Sequence, residues 1–427
     1  MRAATAVRGD VAPPRSFADR IATFPIHPVL SPPPLRTSGG HDREERRASW
    51  LELFFDLVFA GAVGQLAGAF QDHPHLGTLV RFVMLFTPVW WLWVQLTFYA
   101  DRHESEDPAH RAAFLTAILL CVGLAVSGPR ALAGSTTGFI VFFVALRGLQ
   151  LVLYARARRH LPATRALYTR YLIFFGAGGA LWLSSLAMAG PAGPARPALW
   201  AAGLLCDAIG GLAMTSPRSR VPLNTWHLAD RFQIFVLIVL GESVARLISA
   251  ATERPWSIPL AVVLCAALLT LAALWWSWLT AADRKALDGP RAIAGFTALN
   301  LPIVAGIAAG SAGLHLAILA ADGASTIGIG PRAALYGGVS VSMLASAWLP
   351  SRKLSRGARV TRVATAMGAL GLVFMGAIVP PVYLVPALTL VLVAGRTAES
   401  HPRWVTFART TAGSWLAAGR SDAAPGS

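Results

Sequence analysis

Charge is scarce in this chain, and so is cysteine. Only 14% of the 427 residues are charged, whereas 55% are hydrophobic. Soluble globular domains carry about a quarter charged residues, so the composition excludes an ordinary soluble fold. The three cysteines, Cys121, Cys206 and Cys265, lie inside apolar segments at no metal-ligand spacing. Neither a disulfide framework nor a zinc site is indicated.

Several enzyme motifs are also missing. The sequence has no nucleotide-binding glycine loop and no nucleophile–histidine motif, so neither ATP-driven transport by this chain alone nor serine hydrolase chemistry is indicated. The Pro- and Arg-rich beginning has no apolar core of the kind a cleaved signal peptide needs. We therefore expect residues 1–48 to form a disordered cytoplasmic tail and residues 396–427 a cytoplasmic C-terminal tail.

What the chain has is a series of long apolar runs. A membrane-spanning helix needs about 20 mostly apolar residues, and about twelve stretches between residues 49 and 395 meet that length roughly. The prediction is an all-α, polytopic membrane helix bundle. The predicted spans are 50–70, 76–100, 112–128, 136–155, 168–190, 197–215, 229–250, 258–282, 293–321, 333–350, 361–379 and 381–395.

The net charge of +16 is distributed by topology. The tails and even-numbered loops hold 30 of the 37 Lys and Arg residues, the odd-numbered loops hold 4, and Arg81, Arg147 and Arg246 lie within predicted helices. By the positive-inside rule both termini are cytoplasmic, which suits a multi-pass protein of the bacterial inner membrane. The lipid bilayer is then the expected partner, and nucleic acid is not. The sequence leaves a homo-oligomer open.

Two pairs of motifs lie six helices apart. Helix two ends in VWWLWVQLTFYADR and helix eight in LWWSWLTAADRK, while helix one contains Gly64-Gln65 where helix seven contains Gly241-Glu242. These matches raise the hypothesis of a parallel repeat of six helices, an arrangement that places transporter sites between the halves. The spacing from Trp to Asp differs between the copies, and tryptophans gather at membrane interfaces in any case, so the alternative of chance similarity stays open.

The first apolar segment, SWLELFFDLVFAGAVGQLAGAF, carries two carboxylates. Glu52 and Asp56 are four positions apart and therefore share one face of a helix. We expect that face to line a polar, cytoplasm-accessible cavity shared with helices two and seven. Helix seven begins in LADRFQIF, which places Asp230 and Arg231 at the same side of the membrane.

Three ionisable residues are predicted near the bilayer midplane. Arg147 and Glu242 are the deepest, followed by Asp207. A charged residue at the centre of a spanning helix costs about 2.5 to 3.5 kcal/mol on insertion scales, so it normally pairs or lines a cavity. The simplest expectation is an ion pair between Arg147 and Glu242.

The end of helix two, ADRHESEDPAHR, suggests different chemistry. Asp101, Glu106 and Asp107 could bind Mg²⁺, which takes oxygen ligands from carboxylates and substrate phosphates. Arg102 could contact a diphosphate. Trp90 and Trp93 could line an apolar tunnel and stabilise a carbocation.

The segments WLELFFDLVFAGAVGQLA, WWLWVQLTFYADRHESEDPAHR and HLADRFQIFVLIVLGESV resemble the bacterial low temperature requirement protein A (LtrA) family. The similarity covers residues 45 to 395. Two positions depart from the family pattern, Asp230 in place of a glutamate and Asn300 near a usual histidine. The resemblance implies an integral membrane protein without an established reaction. It marks Glu52, Asp56, Trp90, Trp93, Asp101, Arg102, Asp107, Arg231, Gly241 and Glu242 as motif residues.

These residues are compatible with three functions. The first is a proton-coupled transporter of a small solute, using Glu52, Asp56, Arg147, Asp230, Arg231 and Glu242. The alternative is a membrane-embedded, Mg-dependent enzyme acting on an isoprenoid diphosphate, as a transferase or a cyclase. The third is a non-catalytic membrane stress protein.

Overall fold

The computed structural model describes residues 49–103, 108–188, 195–214, 223–323 and 326–400. Within these ranges the chain forms twelve long helices and no strand, which confirms the predicted all-α bundle. The helices are α1 Trp50–Asp72, α2 Leu76–Arg102, α3 Pro108–Leu132, α4 Thr137–His160, α5 Arg165–Ser184, α6 Ala195–Met214, α7 Thr225–Thr252, α8 Ile258–Ala281, α9 Pro290–Leu319, α10 329–348, α11 Arg356–Met375 and α12 Pro381–Ser400. Nine helices of the described chain are long and apolar enough to cross a membrane.

Every predicted span corresponds to one of these helices. The largest differences lie at helix ends, where α3, α7 and α11 begin four or five residues before the predicted spans. Their first turns are polar, so hydropathy leaves them out although the backbone is already helical. α5 ends at Ser184, followed by a 3₁₀ turn at Ser185–Ala187, and α12 continues to Ser400. The two predicted tails lie outside the described residues, apart from 396–400.

Polar caps fix where the functional helices begin. Ser49 and Glu52 form a capping box at α1, in which Glu52 Oε2 accepts from the Ser49 backbone at 2.8 Å. The Asn224 side chain accepts from the backbone N–H groups of Trp226 and His227 at the start of α7. These caps set the rotation at which each helix presents its charged side chains.

The same order of helix packing recurs in both halves of the bundle. α1 packs on α3, α3 on α4, α4 on α5 and α5 on α6, while α7 packs on α9, α9 on α10 and α10 on α11. α11 meets α12 through the ion pair between Arg362 and Glu399. This recurrence is what a parallel six-helix repeat requires. The two halves meet through α1, which packs against α7 and α9, and through α2, which also contacts both of these helices.

The outer surface of the bundle is apolar. Large side chains such as Leu119, Phe374 and Leu390 are largely exposed along the spans, as expected of a multi-pass membrane protein whose surface meets lipid. We call the end at which odd-numbered helices begin the basic end. Its described loops carry most of the Lys and Arg, whereas the opposite end carries Arg130, Arg196, Arg254 and Arg332.

Candidate functional site

A buried ion pair joins the two halves near the basic end. Arg231 of α7 donates to both carboxylate oxygens of Asp56 on α1, with Nε to Oδ2 at 2.8 Å and Nη2 to Oδ1 at 2.6 Å. The indole Nε1 of Trp93 on α2 donates to the same carboxylate at 2.7 Å. All three side chains are fully buried. The bidentate geometry holds α1 and α7 in one fixed orientation.

A histidine extends this contact. His227 lies one turn before Arg231 on the same face of α7, with Nδ1 2.9 Å from Asp101 Oδ1 and Nε2 3.4 Å from Glu52 Oε2. Glu52 Oε1 is also 3.5 Å from Arg231 Nη1. We call Glu52, Asp56, Asp101, His227 and Arg231 the inner network.

Asp101 contributes a further bond across the halves. Its second oxygen, Oδ2, accepts the backbone N–H of Asn224 at 2.8 Å. The end of α2 is therefore bonded to both the cap and the first turn of α7. Glu52 and Asp56 do meet helices two and seven as predicted, but their face is packed against those helices and does not line an open cavity.

A second ionic contact lies deeper in the membrane. Glu242 and Arg246 of α7 form an ion pair with Nη2 and Oε1 3.0 Å apart, and Arg246 also donates to the Gly64 carbonyl of α1. A Cβ at Gly64 would lie 2.6 Å from the Glu242 carboxylate, so glycine is needed for this approach. His315 Nδ1 is 3.1 Å from the Arg246 carbonyl. We call Glu242 and Arg246 the midplane pair.

The predicted ion pair between Arg147 and Glu242 is wrong. Arg147 of α4 pairs with Asp207 of α6 at 2.6 Å, and it also donates to Gln150 at 2.9 Å and to the Gln95 side chain. These groups lie inside the first half. The depth of Asp207 in its predicted span identified it as a midplane carboxylate, but depth did not show that the side chains of α4 and α6 meet across the glycines of α5.

The remaining predicted site residues lie apart from the inner network. Asp230 faces away from it and pairs with Arg284 at the start of the loop after α8. Trp90 is buried and packs among aromatic rings, with Phe232 and Phe235 at 5.7 and 5.9 Å between centroids. Arg102 is buried, with its guanidinium 5.8 Å from the Phe98 ring centroid.

The proposed magnesium ligands are only partly described. Both oxygens of Asp101 are engaged by α7, while Glu106 and Asp107 lie outside the described residues. Within the described part of the chain no group of three His, Cys, Asp or Glu side chains is arranged to hold a metal ion.

His103 follows α2 and is completely buried. Its Nδ1 donates to the Tyr99 carbonyl at 2.9 Å, and its Nε2 accepts from the Tyr168 hydroxyl at 3.3 Å. Burial disfavours the charged imidazolium and lowers the pKa of His103 to about 3. His103 is therefore a neutral packing group at the end of the helix that supplies Asp101.

The second half has a related but uncharged arrangement. Trp278 of α8, the repeat counterpart of Trp93, donates its Nε1 to Asn300 Oδ1 at 2.7 Å. Asn300, which the sequence resemblance places near an expected histidine, is a buried partner of Trp278. Nearby, a cavity of about 400 Å³ opens at the basic end. Its lining includes Trp226, Ala229, Gln233, Trp278, Asp283, Arg284, Lys285, Phe296 and Lys353.

Sequence reasoning missed two residues of these sites. His227 could have been found from its spacing, because it precedes Arg231 by four positions and shares its helix face. Arg246 has the same spacing from Glu242, and an i,i+4 pair within α7 is a simpler way to balance that charge than a partner on α4.

Comparison with known proteins identifies the family of this chain. The profile of the bacterial low temperature requirement A protein (LtrA) family matches residues 47–396. The chain is also 30% identical over 288 residues to uncharacterized protein RA0937 of Rhizobium meliloti (strain 1021), covering 62% of this chain and 68% of that protein. No solved structure matches. With a match over most of its length, the chain belongs to the bacterial low temperature requirement A family.

Proposed function

We propose that this protein is a proton-coupled transporter of a small solute in the bacterial inner membrane, with both termini and the basic end in the cytoplasm. One observation carries the proposal: the two six-helix halves are joined along α1 and α7 by two separate ionic contacts, the inner network and the midplane pair. Transporters built from parallel repeats bind their substrate between the halves near the midplane.

The two contacts are separated by an apolar stretch. From Asp56 to Gly64, α1 rises about 12 Å at 1.5 Å per residue. The side chains in between, including Phe59 and Val63 of α1 and Val239 of α7, are buried and apolar. Such a stretch blocks water, so the two contacts can act as successive barriers when the halves rock against each other.

Glu242 is the proton carrier in this proposal. Its side chain is 37% exposed, whereas the carboxylates of the inner network are at most 2% exposed. A proton on a Glu242 carboxylate oxygen cancels the charge that holds Arg246. The guanidinium then remains charged at a depth where an unpaired charge is costly, and an anionic solute can balance it.

This reasoning defines the solute class. Entry of one proton and one small monovalent anion, such as a carboxylate, leaves the site with the same total charge as the empty ion pair. The inner network then serves as the gate on the cytoplasmic side, because opening that end requires α1 and α7 to separate at Asp56 and Arg231.

Infrared difference spectroscopy on reconstituted protein tests the proton carrier directly. We expect a protonated-carboxyl band that grows when the pH outside the vesicles is lowered and that is missing in Glu242→Gln. A Glu242 that stays ionised under every imposed gradient would contradict the proposal and leave it as a structural partner of Arg246.

Uptake measurements test the coupling. Proteoliposomes with an inward proton gradient should accumulate at least one member of a panel of radiolabelled small carboxylates, and Glu242→Gln should lose gradient-driven uptake. Glu399→Gln is the matched control, because Glu399 is also an ion-paired glutamate on a spanning helix but lies away from α1 and α7. Equal loss in both variants would indicate a general defect in folding.

A further inference from the structure

Two polar groups on the outside of the bundle lie at a depth where lipid surrounds the protein. Gln65 of α1 is exposed, and it lies only about 6 Å from the middle of this 23-residue helix. The neighbouring Gly64 packs on Glu242, so the exposed part of the Glu242 carboxylate lies at the same depth. Lipid tails offer neither group a hydrogen bond.

Both groups belong to one continuous face. α1 and α7 are parallel and touch along one line. Starting from that line, the exposed positions are reached by turning clockwise around one helix and anticlockwise around the other. Both sets of exposed positions therefore point to the same side of the molecule. We call this the α1–α7 face. It comprises Phe54, Leu57, Gly61 and Gln65 of α1 and Leu237, Gly241, Ala245 and Ile248 of α7, with the Glu242 carboxylate at its centre.

The glycines of this face have no role in the packing of the chain itself. A Cβ added at Gly61 or Gly241 meets no atom within 4 Å, in contrast to Gly64, where it would meet Glu242. Small residues on a membrane helix allow another helix to approach closely. The open space beside Gly61 and Gly241 is thus next to the two exposed polar groups.

We propose that a second copy of this chain covers the α1–α7 face, forming a homodimer about a two-fold axis along the membrane normal. The face is self-complementary: the Gln65 amide can donate to the carboxylate of Glu242 of the other copy, and the symmetric bond forms at the same time. The exposed side of the midplane pair is incomplete without that donor. This inference concerns the partner of the proposed transport site, but it does not require transport to occur.

The dimer also changes where the solute path lies. With the second copy in place, Glu242 faces a space enclosed by four helices, α1 and α7 of each copy. The polar groups at that depth then line a protein-walled site shared by two chains.

Disulfide cross-linking in a lipid bilayer tests the interface. The two-fold axis places Gly61 of one copy opposite Gly241 of the other. With Cys121, Cys206 and Cys265 replaced by serine, an equal mixture of Gly61→Cys and Gly241→Cys chains should therefore form a covalent dimer on oxidation in reconstituted bilayers. A mixture of Gly61→Cys and Gly371→Cys chains is the matched control, because Gly371 of α11 is also exposed with nothing within 4 Å of an added Cβ. Cross-linking of the first mixture alone supports the dimer. Cross-linking of neither mixture, or of both equally, overturns it.

Energy transfer between labelled copies, measured as the protein is diluted with lipid, gives the dissociation constant of the dimer in the bilayer. Gln65→Leu removes both symmetry-related hydrogen bonds and should weaken the dimer by about 10- to 900-fold, because one hydrogen bond between membrane helices contributes about 3- to 30-fold. Gly241→Leu should abolish it by steric exclusion, while Gly371→Leu should not. If wild type remains a single subunit at all dilutions, lipid covers the face and the inference is wrong. If Gly241→Cys in native membranes links to a chain of another mass, a different protein covers it and the inference is equally wrong.

The assay reads association and not proton movement. A dimer without an infrared response from Glu242 would contradict the proposed function alone. A responsive Glu242 in a protein that stays monomeric would contradict the dimer alone.

Discussion

Two tryptophans six helices apart make the same hydrogen bond to different partners. Trp93 donates to the Asp56 carboxylate, and Trp278 donates to the Asn300 amide, each at 2.7 Å. In the first half the carboxylate also binds Arg231 from the second half, whereas Asn300 needs no counter-charge. The comparison shows that the tryptophan is kept as an anchor in both halves, while its partner is charged where the two halves are joined and neutral within the second half.

The largest expected effect comes from removing the counter-charge in the first half. Arg231→Met leaves Asp56 buried without its cation and should lower the free energy of unfolding by about 3–5 kcal/mol. Thermal unfolding in detergent or nanodiscs measures it. Arg284→Met is the control in the second half, because the Arg284–Asp230 pair is partly exposed and should contribute at most about 1 kcal/mol. Equal losses in the two variants would contradict the contrast between the halves.

The next effect depends on pH. The Ala-Asp-Arg motif at the end of each tryptophan-rich helix, α2 and α8, is followed by buried His103 in the first half and by exposed Lys285 in the second. The pKa of His103 is about 3 in the folded chain, against 6.5 ordinarily, so between these values the unfolded chain binds one more proton. Stability therefore falls as pH drops below 6.5, and His103 should account for about 3 kcal/mol at pH 4.

Unfolding midpoints at several pH values check this prediction. His103→Gln should flatten the pH dependence, because glutamine can keep polar contacts but does not titrate. Lys285→Gln should leave the slope unchanged. A wild-type slope that survives in His103→Gln would assign the dependence to another group.

A smaller effect separates the two tryptophan bonds. Trp93→Phe and Trp278→Phe remove similar volume, so their difference reports the hydrogen bond. Bonds to charged groups contribute about 1.5–3 kcal/mol and neutral ones about 0.5–1.5. Trp93→Phe should therefore destabilise by about 1 kcal/mol more in chemical or thermal unfolding. The reverse order would show that the indole at Trp278 has a role beyond this bond.

The smallest effect is expected from introducing charge into the second half. Gln233 is the repeat counterpart of Asp56 and accepts a hydrogen bond from Arg284 at 3.3 Å. Gln233→Glu should stabilise the protein by at most about 1 kcal/mol, because Arg284 is partly exposed and already paired with Asp230. Destabilisation of several kcal/mol would show that this position is as dry as the inner network.

The fold was more accessible from the sequence than the site. Apolar runs of spanning length gave every helix, since in lipid the backbone must satisfy its own hydrogen bonds within each span. The alternation of Lys and Arg between successive loops places the starts of helices one and seven and the end of helix two on the same side of the membrane. The contact of Glu52 and Asp56 with helices two and seven could therefore be predicted.

The choice of ion pairs could not be read in the same way. Judged by depth in the membrane alone, Glu242 is as suitable a partner for Arg147 as Asp207 is. The order of the helices in the bundle instead puts Asp207 beside Arg147, and Glu242 pairs with Arg246. The rotation of each helix decides these contacts, and in α7 the cap at Asn224 helps to set it.

The bond between Asp56 and Arg231 has a consequence for how the chain is made. The two residues are 175 positions apart, so at 5–20 residues per second the ribosome delivers Arg231 roughly 9–35 s after Asp56. For that interval the newborn α1 carries Asp56 without the arginine that neutralises it in the folded chain. Until α7 arrives, α1 must keep Asp56 protonated or close to the membrane surface, and its final seating is among the last steps of biogenesis.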